Sequence, residues 1–285
     1  MRSLSSTLPR TSLLAALTLL GCGGREQEIT DEGLSSLGEG DDEVSSSTDE
    51  DGSSSTGLKF DMGEDGDMIG AGDSGMMAEC ETNLVAKVRD FPVSHPDFEY
   101  EIGVDPGIVQ FMLGADHKPI YAGNPTTPTT TGQANFDQWY RDVPGVNMTF
   151  EVELPLTDLG NGLYRYENPA FFPIDNVGFG NEGNPHNYHF TLELHTEFTY
   201  EGGEVFSFTG DDDLFTFVNG RLGIDLGGVH GPLSGEIDMD AMAATLGLEL
   251  GQTYALDFFF AERHTSESNF RIDTTIACFT TPEIG

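Results

Sequence analysis

Residues 188–200 read YHFTLELHTEFTY and alternate without a break. Tyr188, Phe190, Leu192, Leu194, Thr196, Phe198 and Tyr200 fall on one side of an extended chain. His189, Thr191, Glu193, His195, Glu197 and Thr199 fall on the other, because successive strand side chains point to opposite faces. This is the pattern of a strand with one face on a core and the other in water. It places His189, Glu193 and His195 together on the expected solvent face, where they imitate a zinc cluster but read more simply as polar surface.

Outward from this strand the same period recurs at Met148, Phe150, Val152, Leu154 and Leu156, at Tyr254, Leu256, Phe258 and Phe260, and at Phe270, Ile272, Thr274 and Ile276. Asn219-Gly220 lies between residues 214–218 and 221–225 and is a hairpin signal, since both residue types accept the positive φ of a type I′ turn. Met239, Met242, Ala243 and Leu246 follow a helical period instead, predicting one short helix. No unit of 20 to 50 residues repeats, so a solenoid is not expected. The fold class that follows is all-β, an antiparallel β-sandwich with one short helix, over residues 80–285.

The chain of 285 residues carries 49 acidic against 12 basic side chains, a net charge of −37. Such a charge repels phosphate, so nucleic acid is excluded as a partner. It is unevenly spread. Residues 23–79 hold 17 acids, two bases, 12 Gly, nine Ser and a single aromatic, Phe60, too little apolar surface to offset ordering entropy, and so read as a disordered acidic linker. Residues 80–285 hold 32 acids and eight bases, a net of −24.

Before the linker, residues 1–22 place Arg2 and Arg10 ahead of an apolar run, residues 13–20, that is too short to span a bilayer. Its end, Leu19-Leu20-Gly21-Cys22, resembles the lipobox of bacterial lipoproteins. That resemblance implies a signal peptide, acylation of Cys22, and export to a membrane surface facing outward; the simpler alternative is an ordinary signal followed by a chance cysteine. Cys80 and Cys278 bracket the folded part, and an oxidising compartment allows them to pair. A bridge over so long a loop is worth about 5 kcal/mol in the chain-entropy view. Two unpaired buried thiols are the other possibility.

The sharpest chemical feature is Gly210-Asp211-Asp212-Asp213, between the strand-like EVFSFT and LFTFV. Three adjacent carboxylates repel one another, and hard oxygen donors in a turn suit Ca²⁺. A plain acidic turn is the bland alternative. Enzymatic patterns are missing: the sequence has no Gly-x-Ser-x-Gly elbow, no His-Glu-x-x-His pair and no phosphate-binding glycine loop. Motifs of catalysis are therefore weak, although a pair of carboxylates suited to glycoside hydrolysis is not legible from spacing.

The segments FDQWYRDVPGVN (136–147), FTGDDDLFTFVNGRLGIDLGGVHG (208–231) and GQTYALDFFFAERHTSESNFRIDTTI (251–276) resemble the fibro-slime domain of bacterial and slime-mould surface proteins. That family is related to the fourteen-kilodalton protective-antigen lectin module, and the resemblance covers about residues 84–278. It implies a lectin-like jelly-roll sandwich. In calcium-dependent relatives an Asp-Asp pair joined by a cis peptide holds Ca²⁺, which binds sugar hydroxyls; the matching positions are Asp211 and Asp212. Asn269 and Glu262 are candidates from a second loop, and Asp213, Asp225 and His230 candidates along the same edge. Trp139, beside Phe136 and Tyr140, could stack on a sugar ring or simply pack a turn. The expected protein is a lipid-anchored, surface-exposed, Ca²⁺-dependent carbohydrate-binding module for adhesion or matrix attachment. A structural or protein-binding module and a glycan-active hydrolase are its rivals.

Overall fold

A computed structural model describes residues 80–282. The lipobox with Cys22 and the acidic tract lie outside the described residues, among which no helix is long and apolar enough to cross a membrane. In chain order the elements are β1 (Asn83–Asp90), β2 (Gly103–Val104), α1 (Gln133–Phe136), β3 (Met148–Pro155), β4 (Thr157–Asp158), β5 (Tyr164–Asn168) and β6 (Phe190–Tyr200). They continue with β7 (Val205–Gly210), β8 (Asp213–Val218), β9 (Arg221–Leu226), β10 (Gly228–Val229), β11 (Leu233–Asp238), α2 (Met239–Leu246), β12 (Gln252–Glu262) and β13 (Phe270–Thr274).

Two antiparallel sheets make the sandwich. One runs β3-β1-β6-β12-β8-β9, the other β11-β7-β13-β5-β4, and β10 pairs with β2 in a small third sheet. The alternating apolar residues meet between the two large sheets. Phe208 of β7 packs 5.5 Å from Phe258 of β12, and Phe270 of β13 lies 5.2 Å from Phe260. Each fully buried phenylalanine removes enough apolar surface to contribute about 1.5–3 kcal/mol. The hairpin forms where expected, with φ of 52° at Asn219 and 66° at Gly220, and Val218 opposite Arg221. Helix α2 also appears. Asp238 caps its start by accepting the Ala241 N–H at 3.0 Å, and Gly247 ends it in the left-handed conformation at φ 71°.

The terminal segments are joined by the Cys80–Cys278 disulfide. Beside it, Glu81 bridges Phe279, and Thr280 bridges Glu197 on β6. The unpaired-thiol alternative is thereby removed.

One expectation needs correction. The second face of β6 is not in water: His189 and Glu193 are almost fully buried. The cause is a third layer, the irregular segment 91–147, whose Ile108, Tyr121, Phe136, Trp139 and Tyr140 pack on Phe215, Phe217, Phe259 and Ala261 from the outer face of β8 and β12. Beneath it the polar residues of β6 are paired. Glu193 accepts from Arg89 at 2.9 Å and Lys118 at 2.5 Å, and His195 Nδ1 lies 2.6 Å from Asp257. His189 sits between Glu99 and Glu182, at 3.1 and 3.3 Å. Trp139 is fully buried in this layer; its Nε1–H donates to Asp97 at 3.0 Å and the Arg263 guanidinium covers its ring at 4.7 Å. It presents no free face to a sugar, and the structural alternative for this residue is the correct one.

Candidate cation and ligand site

β7 ends at Gly210, where the backbone of residue 269 crosses so closely that any Cβ would lie 2.2 Å from the Asn269 carbonyl oxygen. Only glycine permits that approach. The crossing brings Asn269 against the acidic turn: its backbone N–H and its Nδ2 both donate to Asp211 Oδ2, at 3.0 and 2.7 Å. Asp212 accepts the His230 N–H on Oδ1 and the Arg263 N–H on Oδ2, each at 3.0 Å. Asp213, the first residue of β8, is committed elsewhere. It forms a fully buried ion pair with Arg263 Nε at 2.6 Å and accepts the Gly228 N–H at 2.6 Å.

Strand register adds a third carboxylate. Phe260 faces Leu214 and Ala261 faces Asp213 across β12 and β8, so continuing by one residue sets Glu262 opposite Asp212. Glu262 is fully buried, and neither of its carboxylate oxygens has a hydrogen-bond partner among the described residues; Asp211 Oδ1 and Ser268 Oγ are likewise buried and unpartnered. Ser268 and the His264 backbone N–H lie near enough to depress the Glu262 pKa somewhat, but no bond of acceptable geometry joins either to it. Like charges directly across a strand pair are destabilising, and an unpaired buried polar group costs about 1–3 kcal/mol, more when charged.

The carboxyl groups register that environment. Burial, reinforced by Asp213 against the pull of Arg263, pushes Asp212 up to about 7. Burial raises Asp211 as well. Glu262 is driven well above the ordinary range, first by burial and then by the charges of Asp212 and Asp211.

Asp211, Asp212, His230, His264, Ser266 and Glu267 line a cleft of about 130 Å³. Ser266 and Glu267 also edge a neighbouring groove of about 440 Å³, whose other wall carries Phe172, His186 and Tyr188 and which reaches Ser268 and Asn269. Among the described residues no three His, Cys, Asp or Glu side chains form a ready-made metal cluster. A cation in the cleft would therefore draw on amide, hydroxyl or backbone oxygens besides Asp211 and Asp212, as Ca²⁺ commonly does.

Of the residues singled out by sequence, the fold brings Asp211, Asp212, Asn269, Glu262 and His230 together. Asp213 is held by Arg263, and Asp225 is tied to the Gly107 and Gly227 amides at 2.7 and 3.3 Å, away from the cleft lining. The Asp211–Asp212 peptide is trans; the cis bond among the described residues is Asn124–Pro125. Arg263, Ser268 and Glu99 escaped sequence reasoning. Glu99, at φ 50°, donates its N–H to the Arg263 carbonyl at 2.8 Å, accepts the Thr265 N–H at 2.8 Å and faces His264 Nε2 at 3.3 Å. It thus holds the start of the 263–269 segment. No local pattern announces it, since its partners, His189 included, lie 90 residues or more away.

Comparison with known proteins fits this architecture. The PA14 domain description matches residues 174–281, which run from before β6 to beyond β13. Two Dictyostelium discoideum proteins are similar over more of the chain. PsiR is 42% identical over 223 residues, covering 71% of this chain and 22% of psiR; psiD is 43% identical over 210 residues, covering 68% of this chain and 41% of psiD. The chain thus spans well under half the length of these curated relatives. Among solved structures, the "PA14 domain of MpAFP Antifreeze protein" aligns with a TM-score of 0.33 at 10% identity, over 75% of this chain and 99% of that one. The "PA14 sugar-binding domain from RTX adhesin" aligns at 0.26 and 13%, over 40% and 70%. Residues 174–281 thus match the PA14 domain description, and the chain is similar to the Dictyostelium psi proteins over about 70% of its own length.

Proposed function

We propose that the domain is a Ca²⁺-dependent carbohydrate-binding module, displayed at a cell surface through a lipid on Cys22 and serving attachment instead of catalysis. The observation that carries the reading is Asp211 Oδ1, a buried carboxylate oxygen with no partner in the lining of a cleft that also holds Asp212. A hard divalent cation supplies what that oxygen lacks, and when bound it offers remaining coordination positions to sugar hydroxyls. The chain's own part is positional. Gly210 lets Asn269 close on Asp211, the backbone N–H groups of His230 and Arg263 fix the Asp212 carboxylate, and the Arg263–Asp213 pair anchors the base of the turn. The groove beside the cleft gives a glycan room to extend.

Calorimetry of the full chain with CaCl₂ tests the cation, comparing wild type with Asp211→Ala/Asp212→Ala. Binding by wild type and none by the double variant is expected; equal heats from both would reduce the acidic turn to a structural device. A glycan array probed in Ca²⁺ and in chelator then tests the sugar, with signals expected only in Ca²⁺. An array blank under both conditions would favour the structural or protein-binding rival.

A further inference from the structure

A second polar feature lies at the opposite end of β8 from the acidic turn, where Phe217 pairs with Asp257 as Asp213 does with Ala261. A pocket of about 270 Å³ opens there between the third layer and β12, with Met112, Leu113, Asn219, Gly220, Ala255 and Asp257 among its lining residues. Backbone bonds hold its walls: the Leu113 N–H donates to the Gly220 carbonyl at 3.0 Å and the Asn219 N–H to the Ala255 carbonyl at 2.9 Å. Leu256 and Phe258 face the sandwich interior, so Ala255 and Asp257 project from the outer face of β12.

Asp257 ends a chain of polar contacts. Arg89 and Lys118 both donate to Glu193, at 2.9 and 2.5 Å. Lys118 Nζ lies 3.4 Å from His195 Nε2, and His195 Nδ1 lies 2.6 Å from Asp257 Oδ1. The two basic side chains are taken by Glu193, and one imidazole nitrogen is all that reaches Asp257. Its other oxygen, Oδ2, is buried with no hydrogen-bond partner among the described residues, on a side chain only 4% exposed. Met112, on the wall beside it, is exposed although apolar.

We propose that this pocket binds a primary ammonium group carried on an apolar stem, with Asp257 Oδ2 accepting its hydrogen bond and Met112 and Leu113 packing on the stem. What Oδ2 lacks is a donor. An ammonium brings three N–H groups and no acceptor, and its charge-assisted bond is about twice as strong as a neutral one. The folded part, with 32 acids against eight bases, attracts a cation and repels an anion. The apolar wall suits a hydrocarbon stem, to which a flexible methionine adapts. Two sources carry that chemistry, a free alkylamine and the lysine side chain of a partner chain.

The full chain, labelled with ¹⁵N, is titrated with n-butylammonium chloride, with Nα-acetyl-lysine N-methylamide and with n-butanol at constant ionic strength. The amide signals of Gly114, Gly220 and Ala255, all in the pocket lining, are followed by NMR, and emission from buried Trp139 reports the fold. Saturable shifts are expected with both amines, the tighter of which identifies the source. Affinity should be at least about tenfold lower for n-butanol, and for the amines on Asp257→Asn, which keeps an acceptor for His195 and puts an N–H where Oδ2 stands. Ala255→Leu fills the pocket without touching the polar chain and should abolish the shifts. Absence of saturable shifts in wild type overturns the proposal outright. Equal binding of n-butanol, or unchanged amine affinity in Asp257→Asn, overturns the role of the carboxylate. Shifts that persist in Ala255→Leu assign the amines to the acidic surface at large and overturn the site. Should Asp257→Asn fail to fold, the n-butanol comparison and Ala255→Leu decide alone. None of these readouts depends on Ca²⁺, so failure of the acidic turn as a cation site leaves this one standing.

Discussion

At the scale of single residues, burial decides what each charge does. Glu193 and Glu262 lie on the two faces of the same six-stranded sheet, both almost wholly out of water, and they differ only in company. Burial acts to raise Glu193, but His195, Arg89 and Lys118 outweigh it and hold the group down to about 2. A carboxylate depressed in the folded state stabilises fully above its unfolded value and loses that contribution as pH falls through the folded one. The window here runs from about 4.5 down to about 2, and a shift of this size corresponds to about 3 kcal/mol. Urea midpoints should therefore fall steeply across that window. Glu193→Gln should start about 3 kcal/mol lower at pH 7 and show a flatter acid limb; an unchanged limb would mean that the pairs seen around Glu193 contribute nothing. The sequence put Glu193 on a strand and gave no hint of its partners, since Arg89 is 104 residues away.

At the scale of elements, the strands facing the sandwich interior were legible and the layer outside them was not. Alternation identified β6, β12 and β13 because one face of each meets the opposite sheet. Segment 91–147 has no period to read, being built of turns around a four-residue helix. A trace of it is nevertheless present in Phe259, an apolar residue opposite the face that alternation gave to Phe258 and Phe260. The acidic turn was legible for a related reason: three consecutive carboxylates contrast with everything around them, whereas Ser268 and Glu99 look ordinary until the chain folds. The β8–β9 hairpin shows how one residue can serve two elements. Asn219 adopts positive φ in the turn and donates its Nδ2 to the Leu246 carbonyl at the end of α2, 2.9 Å away. Arg221 donates to the same carbonyl. Asn219→Ala loses both the favoured backbone conformation and the bond, and should cost about 2 kcal/mol. Asn219→Gly keeps the turn and should cost about half as much. Denaturant midpoints of the two variants separate these contributions, and equal losses would place the whole effect in the hydrogen bond.

At the scale of the whole molecule, the eight bases of the folded part are nearly all spent internally. Lys87, Arg89, Lys118, Arg141, Arg165, Arg263 and Arg271 are ion-paired, and Arg221 sits on the carboxyl end of α2. The remaining surface of the folded part is acidic, with 32 acids against eight bases. Cohesion of the termini depends on the Cys80–Cys278 bridge, whose ends are 198 positions apart. Reduction should lower the unfolding free energy by up to about 5 kcal/mol, read as a shift in urea midpoint with and without reductant. A loss below about 1 kcal/mol would mean that the flanking bridges at Glu81–Phe279 and Glu197–Thr280 already impose the same restraint. The bridge also has a mechanical meaning. Its two Cα atoms are only 4.8 Å apart, so tension entering the chain ahead of Cys80 and leaving after Cys278 travels through a covalent shunt and bypasses the strands. A domain wired in this way can be pulled from both ends while its acidic turn carries none of the force.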